Sequence, residues 1–296
     1  MKLQGSICAL ATPFRAGGEL DLQAFGRLVE LQIEGGTQAL VVAGSTGEAH
    51  FLEADEFSRL LAFAIERSDG RVPVIAGTGE AGTAKTVRLT RHAASLGADG
   101  ALVVAPYYVR PTQHGMLRHF TEVADNGGLP VILYNVPSRT ACDMRPETVA
   151  QLRDHERIVG LKEAVSDPAR IRAIAELARE DFVYLSGDDD SAVEAMLAGA
   201  EGAISVVANA VPGPFRAMCD AATSGNRELA QAHSQALAPL LKALACAPNP
   251  IPVKAALAML GIGDGSLRLP LEALEDDSAR QAIRDTLARL APAPAD

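Results

Sequence analysis

Short, almost continuous hydrophobic runs recur along the chain, and amphipathic segments separate them. There are eight such runs, at residues 6–12, 38–43, 72–76, 100–105, 130–135, 158–162, 182–186 and 202–207. Runs of this length without polar alternation are typical of parallel strands that are covered on both faces. The pattern therefore predicts a parallel sheet that is buried on both sides.

The segments between the runs have the 3.6-residue period of helices. They lie at residues 22–34, 55–67, 83–96, 115–124, 146–153, 168–179 and 190–198, and Asp167-Pro168 and Asp190-Ser191 are helix-start signals. Eight strand–helix units predict a (β/α)8 TIM barrel. A doubly wound α/β sheet is the alternative, although it usually has fewer strands.

After residue 207 only helical patterns remain, at residues 212–223, 228–245, 253–260 and 278–290. Ser224-Gly225-Asn226 is a plausible break. We therefore expect a catalytic barrel over residues 1–224 and a C-terminal helical region over residues 225–296. The final Ala-Pro repeat, residues 291–296, is expected to be a frayed tail.

Composition and charge reduce the number of functions that the chain could have. The 296 residues carry a net charge of −10 and no run of Lys and Arg, so we expect no nucleic-acid or membrane partner. The four cysteines are scattered and form no CxxC pair, which favours reduced thiols. No apolar stretch reaches the length of a membrane span, and the N-terminus does not resemble a signal peptide. A cytoplasmic protein is the expectation.

Lys162 ends the sixth hydrophobic run, where a buried strand would normally stay apolar. Strand alternation places Ile158, Gly160 and Lys162 on one face. Lowering a lysine pKa from about 10.4 to about 7 takes about 4 kcal/mol from burial and neighbouring charges. A lysine held in this way can attack a ketone and form a Schiff base. The alternative is a lysine at the rim of the barrel that pairs with a carboxylate.

Polar residues cluster where the predicted strands end, which is where barrel enzymes carry their active sites. They are Gly44-Ser45-Thr46-Gly47-Glu48 after the second strand, Tyr107-Tyr108 after the fourth, Tyr134-Asn135 and Ser138-Arg139 after the fifth, Lys162 at the sixth, Gly187-Asp188 at the seventh and Ile204-Ser205 at the eighth.

Several of these segments together resemble the dihydrodipicolinate synthase / N-acetylneuraminate lyase family of class I pyruvate aldolases. The segments are GSTGE (44–48), APYY (105–108), YNVPSRTACD (134–143), GLKEA (160–164), SGDD (186–189) and NPIPVK (249–254). The resemblance runs from about residue 5 to about residue 270 and is greatest to the synthase branch. It implies a condensation of pyruvate with aspartate 4-semialdehyde on the route to the amino acid lysine.

The resemblance also implies the catalytic roles. Lys162 would form the imine with pyruvate, and Tyr134 would act as the general acid and base beside it. Ser45 and Tyr108 would complete a hydroxyl relay, with Tyr108 serving the neighbouring subunit. Ser45 departs from the family, which usually has Thr there; serine keeps the hydroxyl but loses the branch that restricts its rotamer. The alternatives are a core aromatic role for Tyr134 and helix capping by Ser45.

Four further residues are implied to bind substrate. Thr46 would bind the pyruvate carboxylate, and Gly187 and Ile204 would contribute backbone groups. Arg139 would grip the carboxylate of the semialdehyde through two parallel hydrogen bonds. The alternative for Arg139 is a surface ion pair with Asp143 or Glu147.

Other functions remain as alternatives. Residues 77–82 match GxGxxG after a strand, which would suit an NAD-dependent dehydrogenase, although the acidic residue that should follow is misplaced. A sister aldolase or hydratase acting on a sugar-acid or other aldehyde would share Lys162 and Tyr134. Asp188-Asp189-Asp190 could suggest a metal site, but helix capping is the preferred interpretation. We expect no metal and no cofactor, because a Schiff base needs no Lewis acid.

The resemblance also bears on regulation and assembly. Family members that are inhibited by lysine bind it through positions that match His50, Ala54, Phe57, Glu80 and Lys85. An apolar ring and a cation at two of these positions are poor partners for an ammonium group, so we expect weak or absent inhibition. Sharing of Tyr108 requires at least a dimer, and a dimer of dimers is the expected homo-oligomer.

Overall fold

The computed structural model describes residues 3–290 and contains a closed barrel of eight parallel strands that pair in chain order. The strands are β1 Gly5–Ala9, β2 Ala39–Val42, β3 Val74–Gly77, β4 Gly100–Val104, β5 Val131–Asn135, β6 Ile158–Glu163, β7 Val183–Ser186 and β8 Gly202–Ser205. The predicted (β/α)8 barrel is confirmed, and the doubly wound alternative is wrong. The tail predicted at residues 291–296 lies outside the described residues.

Helices surround the barrel and follow the predicted positions. Within residues 3–290 the α-helices are α1 Leu22–Glu34, α2 Ala54–Ser68, α3 Thr83–Leu96, α4 Gln113–Asn126, α5 Pro137–Thr140, α6 Pro146–Leu152, α7 Pro168–Ala175, α8 Ala192–Leu197, α9 Pro212–Thr223, α10 Arg227–Leu244, α11 Ile251–Met259 and α12 Asp277–Leu290. In the same range, two 3-10 helices follow β2 and β8, at Ala49–Phe51 and Val207–Asn209. The short helix α5 was not predicted. Helix α7 ends before Arg179, which forms an isolated bridge with Phe182 instead of continuing the helix.

The hydrophobic runs divide into two apolar layers. One layer fills the barrel with side chains such as Ile7, Val41 and Ile132. The other lies between the strands and the helices and is much larger. Because both strand faces are buried, the runs show no polar alternation.

Strand β6 departs from simple alternation. Val131 pairs with Ile158, but the next residue of β5 pairs with Gly160, so Val159 is an extra residue in the ladder. Ile158 therefore packs in the outer layer, whereas Val159 contacts the barrel interior. The prediction that Ile158 shares a face with Lys162 is wrong, because a β-bulge reverses the alternation between them.

The C-terminal helices pack into the outer layer of the barrel. Leu237 and Leu240 of α10 and Ile283 of α12 belong to the same buried cluster as the barrel helices. A break between α9 and α10 occurs at the predicted place, where Asn226 accepts a hydrogen bond from the backbone N–H of Leu229. The division into two regions at residue 224 stays a prediction. No helix in the described part of the chain is long and apolar enough to cross a membrane.

Candidate active site

A cavity of about 290 Å³ opens at the carboxyl ends of the strands. Six of the eight residues that the sequence analysis assigned to the site line it: Ser45, Thr46, Tyr134, Arg139, Lys162 and Gly187. The C-terminal helix α10 and the segment before α11 close one side through Leu241, Leu244 and Asn249. The fold therefore brings together residues that lie more than 200 positions apart in the chain.

Lys162 lies inside the barrel and is 4% exposed. Burial lowers the pKa of its amine to about 8; the negative charge of Asp189 opposes this change and the positive charge of Arg139 adds to it. With that pKa, about one amine in ten is uncharged near neutral pH. Among residues 3–290, no carboxylate lies within ion-pair distance of Lys162. The alternative of an ion-paired rim lysine is therefore wrong.

Gly187 makes room for the lysine side chain. A Cβ atom at this position would lie 2.9 Å from Cγ and 3.0 Å from Cε of Lys162, closer than such atoms can approach. The backbone N–H of Gly187 donates to the carbonyl oxygen of Glu163 at 2.7 Å. The end of β7 is thus held directly against the reactive side chain, and a larger residue there would displace it.

Tyr134 faces the amine from the neighbouring strand. The Nζ atom of Lys162 lies 4.3 Å from the centroid of the Tyr134 ring. Tyr134 shares the barrel interior with Ile132. Burial raises the pKa of its hydroxyl to about 12, with Arg139 lowering it and Glu163 raising it. The phenol is therefore neutral near pH 7 and can both donate and accept a proton.

Residues of the C-terminal region hold the turn after β2 in place. Thr46 is buried, and its Oγ1 accepts a hydrogen bond from Nδ2 of Asn249 at 3.0 Å. Glu48 has a positive φ of 53° and places its carboxylate 2.5 Å from Nζ of Lys254. Its other oxygen accepts the backbone N–H of Arg268 at 3.1 Å. Three contacts from distant residues therefore hold the hydroxyls of the turn at the cavity.

Arg139 reaches the rim of the cavity from helix α5. Its Nη2 donates to the carbonyl oxygen of Asn249 at 3.1 Å. The alternative ion pair with Asp143 does not form, because Asp143 pairs with Arg170. Within the described part of the chain, no carboxylate forms an ion pair with Arg139. The guanidinium keeps donors free to bind an anion.

Two assigned residues lie outside the cavity lining. Tyr108 is 89% exposed, has a φ of 71° and lies on a loop outside the cavity. Ile204 is buried in the barrel interior, and the cavity is reached from β8 by Val206 and Val207 instead. The fold of a single chain thus does not bring Tyr108 to Lys162.

Asp189 and Asn249 are site residues that the sequence analysis did not assign. Asp189 accepts the backbone N–H groups of Val206 and Val207 at 3.0 and 2.8 Å, which ties β7 to the loop after β8. Helix capping is therefore wrong for Asp189, although Asp188 does accept the N–H of Ser191. Both missed residues lie in the SGDD and NPIPVK segments, which could have indicated them.

The GxGxxG segment has a structural role. A Cβ atom on Gly77 would lie 2.1 Å from the carbonyl oxygen of Ala43, so this glycine permits close packing of β3 against the turn after β2. Glu80, in the same segment, accepts a hydrogen bond from the Tyr107 hydroxyl at 2.9 Å. The segment belongs to a closed barrel, which removes the structural context that a dinucleotide site requires.

The residues considered for inhibitor binding are divided between surface and core. His50 packs against Tyr107 with their ring centroids 4.7 Å apart. Phe57 is 5% exposed and belongs to the outer core, whereas Ala54 and Lys85 are exposed. Phe57 is buried in the core and has no carboxylate or other hydrogen-bond acceptor for an ammonium ion, and weak inhibition by lysine stays a prediction.

Comparison with known proteins gives one consistent result. The sequence model of the Dihydrodipicolinate synthetase family matches residues 2–290. A 4-hydroxy-tetrahydrodipicolinate synthase of Xanthomonas campestris is 55% identical over 288 residues, which are 97% of this chain and 94% of that protein. The crystal structure of dihydrodipicolinate synthase from Thermotoga maritima superposes with a TM-score of 0.95, at 40% identity, and covers 98% of this chain and 99% of that one.

A further structure shares the fold to the same degree. It is a chloride-inhibited dihydrodipicolinate synthase from Acinetobacter baumannii complexed with pyruvate. Its TM-score is 0.95 at 40% identity, with 98% of this chain and 99% of that chain covered. The similarity therefore extends over the barrel and the C-terminal helices together.

Proposed function

Because the chain belongs to the dihydrodipicolinate synthetase family, we propose that it binds pyruvate as an imine on Lys162 and condenses it with aspartate 4-semialdehyde. Its activity is that of a 4-hydroxy-tetrahydrodipicolinate synthase, a lyase of lysine biosynthesis. No cofactor or metal enters the proposed reaction, because the protonated imine itself withdraws electrons.

The proposed reaction begins with attack of the Lys162 amine on the ketone of pyruvate, and water leaves to give the imine. Loss of a proton from the methyl group then gives an enamine. The enamine carbon attacks the aldehyde of the second substrate, whose oxygen takes up a proton. The amine of that substrate then closes the ring and releases Lys162. The depressed pKa of the lysine supports this role, because only the uncharged amine is a nucleophile.

Each of these steps moves a proton, and the proposed carriers are hydroxyl groups. Tyr134 lies against the amine and its neutral phenol suits both donation and acceptance. Ser45 lines the same cavity and would pass the proton outward. Tyr108 of a second copy would be the third member, since the exposed loop holds it away from its own cavity.

Four residues are proposed to bind the substrates. Thr46 would bind the carboxylate of pyruvate, and Gly187 and Ile204 would contribute backbone groups, although Ile204 does not line the cavity. Arg139 would bind the carboxylate of the semialdehyde, and its position at the cavity rim without an ion pair supports this role. A planar guanidinium can give that carboxylate two parallel hydrogen bonds.

The observation that carries the proposal is the buried amine of Lys162 beside the Tyr134 ring in an open cavity. Incubation with pyruvate followed by borohydride should attach the reduced adduct to Lys162 alone, as peptide mass spectrometry would show. Lys162→Ala should fold normally and take up no adduct. Labelling of another lysine, or of none, would remove the basis of the proposal.

Aldehyde choice separates this function from that of a sister aldolase. With pyruvate held constant, aspartate 4-semialdehyde should react far faster than glyceraldehyde or N-acetylmannosamine. Arg139→Leu should reduce this preference, because leucine cannot form hydrogen bonds with the carboxylate of the semialdehyde. Equal rates with all three aldehydes would favour the sister enzyme.

The proposed assembly is at least a dimer and, as a finer proposal, a dimer of dimers in the cytoplasm. The four free cysteines are consistent with a reducing compartment. Mixing inactive Lys162→Ala subunits with Tyr108→Phe subunits, under conditions that let subunits exchange, should restore activity. A hybrid dimer contains one site with both intact groups only if Tyr108 acts across the interface. No recovery after proven exchange would show that Tyr108 does not act across the interface.

A further inference from the structure

A buried polar cluster lies behind the two strands that carry Tyr134 and Lys162, on the face turned away from the cavity. Asn135 and Glu163 are its central members, and each directly follows one of the reactive residues in the chain. They are 0% and 1% exposed. Removing a carboxylate from water costs several kcal/mol, which its partners must repay, and apolar residues of similar volume are often equally stable in such a place. The cluster therefore calls for a role other than stability.

Asn135 and Glu163 form a direct link between β5 and β6. Nδ2 of Asn135 donates to Oε1 and Oε2 of Glu163 at 3.0 and 3.1 Å. In the strand register, Tyr134 lies opposite Lys162, and Asn135 lies opposite Glu163. The link is thus one residue beyond the reactive pair, on the other face of the sheet.

The remaining hydrogen-bonding groups of both side chains are also bound. Oδ1 of Asn135 accepts the N–H of Met144 at 2.9 Å, and Oε1 of Glu163 accepts the N–H of Val165 at 3.1 Å. Arg170 of α7 donates to Oε2 of Glu163 at 3.2 Å. Neither side chain can therefore move without breaking contacts to several elements.

Further charged and titratable groups face the cluster. Asp143, in the loop after α5, pairs with Arg170 and accepts from Nδ2 of Asn135. Tyr184 of β7 and Tyr134 of β5 lie close enough for the charge of Glu163 to raise the pKa of both hydroxyls. The hydrogen bonds of the cluster thus connect β5, β6, the loop after α5 and α7 behind the reactive residues.

The bulge in β6 explains why a link between the two strands is needed here. The ladder between β5 and β6 shifts by one residue at Val159, four positions before Glu163. Ile158 and Val159 are both apolar, so the hydrophobic pattern does not choose between the two registers. A slip by one residue would turn Lys162 out of the barrel. Only one register pairs Asn135 with Glu163.

We propose that Asn135 and Glu163 are positioning residues, whose hydrogen bonds behind the sheet fix the register in which Tyr134 faces Lys162. The inference rests on the proposed function of Lys162. A displacement of about 1 Å in such a pair can reduce a rate by about 100-fold. Replacing the link should therefore slow the reaction much more than it weakens pyruvate binding.

Three variants test the role. Glu163→Leu removes all hydrogen bonds of the carboxylate, and Glu163→Gln keeps a carbonyl oxygen that can accept from Asn135. Thr37→Val is the matched control, because Thr37 is a buried polar residue before β2, at the opposite end of the barrel. Rates are to be expressed per folded molecule, with folding measured by circular dichroism and urea unfolding.

Glu163→Leu should lower kcat by about 10- to 100-fold and change the pyruvate KM by less than about threefold. Glu163→Gln should recover kcat to within about fivefold of the parent while remaining measurably below it. Thr37→Val should leave both constants unchanged. A purely structural role predicts unchanged kcat per folded molecule in all three variants, and that result would overturn the proposal.

Two further outcomes are decisive. If Glu163→Leu does not fold, Glu163→Gln decides, since a kcat equal to that of the parent would overturn the proposal. Borohydride trapping of the parent protein tests the imine separately. A labelled parent together with unaffected Glu163 variants would overturn only the positioning role, whereas an unlabelled Lys162 would overturn the proposed function as well.

Discussion

Glu163 and Glu48 are both buried carboxylates beside the cavity, but their partners differ. Glu48 faces Lys254, whose side chain is 3% exposed, at 2.5 Å, so one buried cation meets one buried anion. Glu163 shares Arg170 with Asp143, and its nearest donor is the neutral amide of Asn135. Burial outweighs these contacts and raises the pKa of Glu163 to about 7.

The difference separates two ways of fixing catalytic groups. The Glu48–Lys254 pair ties the turn with Ser45 and Thr46 to helix α11, across most of the chain length. The Asn135–Glu163 pair ties two neighbouring strands. The first is a strong electrostatic connection between distant segments, and the second is a directional connection whose charge changes near neutral pH. Disruption should therefore affect stability most in the first case.

The largest effect is expected for Lys254→Met. Among residues 3–290, the backbone N–H of Arg268 is then the one hydrogen-bond donor left to the buried carboxylate of Glu48, and such a loss typically costs about 3–5 kcal/mol. Urea unfolding measures this cost. The double variant with Glu48→Gln should recover much of it, because no charge is then buried unpaired. Additive losses in the double variant would show that the two groups act independently.

An intermediate effect is expected from the ionisation of Glu163. Its folded pKa of about 7 lies above the ordinary value of 4.5, so the fold favours the neutral acid. This contribution is fully present below about pH 4.5 and is lost as the pH rises towards 7. The difference between the two pKa values corresponds to about 3 kcal/mol.

Glu163→Gln isolates this contribution, because the amide does not ionise. Urea unfolding of both proteins between about pH 5 and about pH 8 should show the parent losing stability relative to the variant as the pH rises. A constant difference between the two over this range would mean that the Arg170 contact holds Glu163 ionised throughout.

The two networks also show what the sequence could and could not predict. Continuous apolar runs predicted the strands, and the unexpected lysine predicted the centre of the site. The bulge at Val159 could not be predicted, because apolar residues on both sides of it give no register signal. The contact of Asn249 with Thr46 depends on the closing of the whole chain, and no local pattern contains it.

The smallest effect on stability is expected for Phe14→Leu, because Phe14 packs against the cations of the Glu48 network, and the Glu163 network has no such ring contact among the described residues. Nζ of Lys254 and Cζ of Arg268 lie 4.4 and 4.2 Å from the centroid of its ring. The π face attracts both cations and offsets their mutual repulsion. Phe14→Leu should lose this attraction in addition to the packing that any buried Phe→Leu change removes.

Phe182→Leu provides the matched control, because Phe182 is fully buried and packs in the same outer core. The Phe14 variant should be less stable than the Phe182 variant by about 1 kcal/mol. Combining each change with Lys254→Met sharpens the comparison, since the excess cost at Phe14 should shrink once one of the two cations is absent. If the excess cost stays the same, it arises from packing around Phe14 and not from attraction to the cations. The network would then consist of Glu48, Lys254 and Arg268 without the ring.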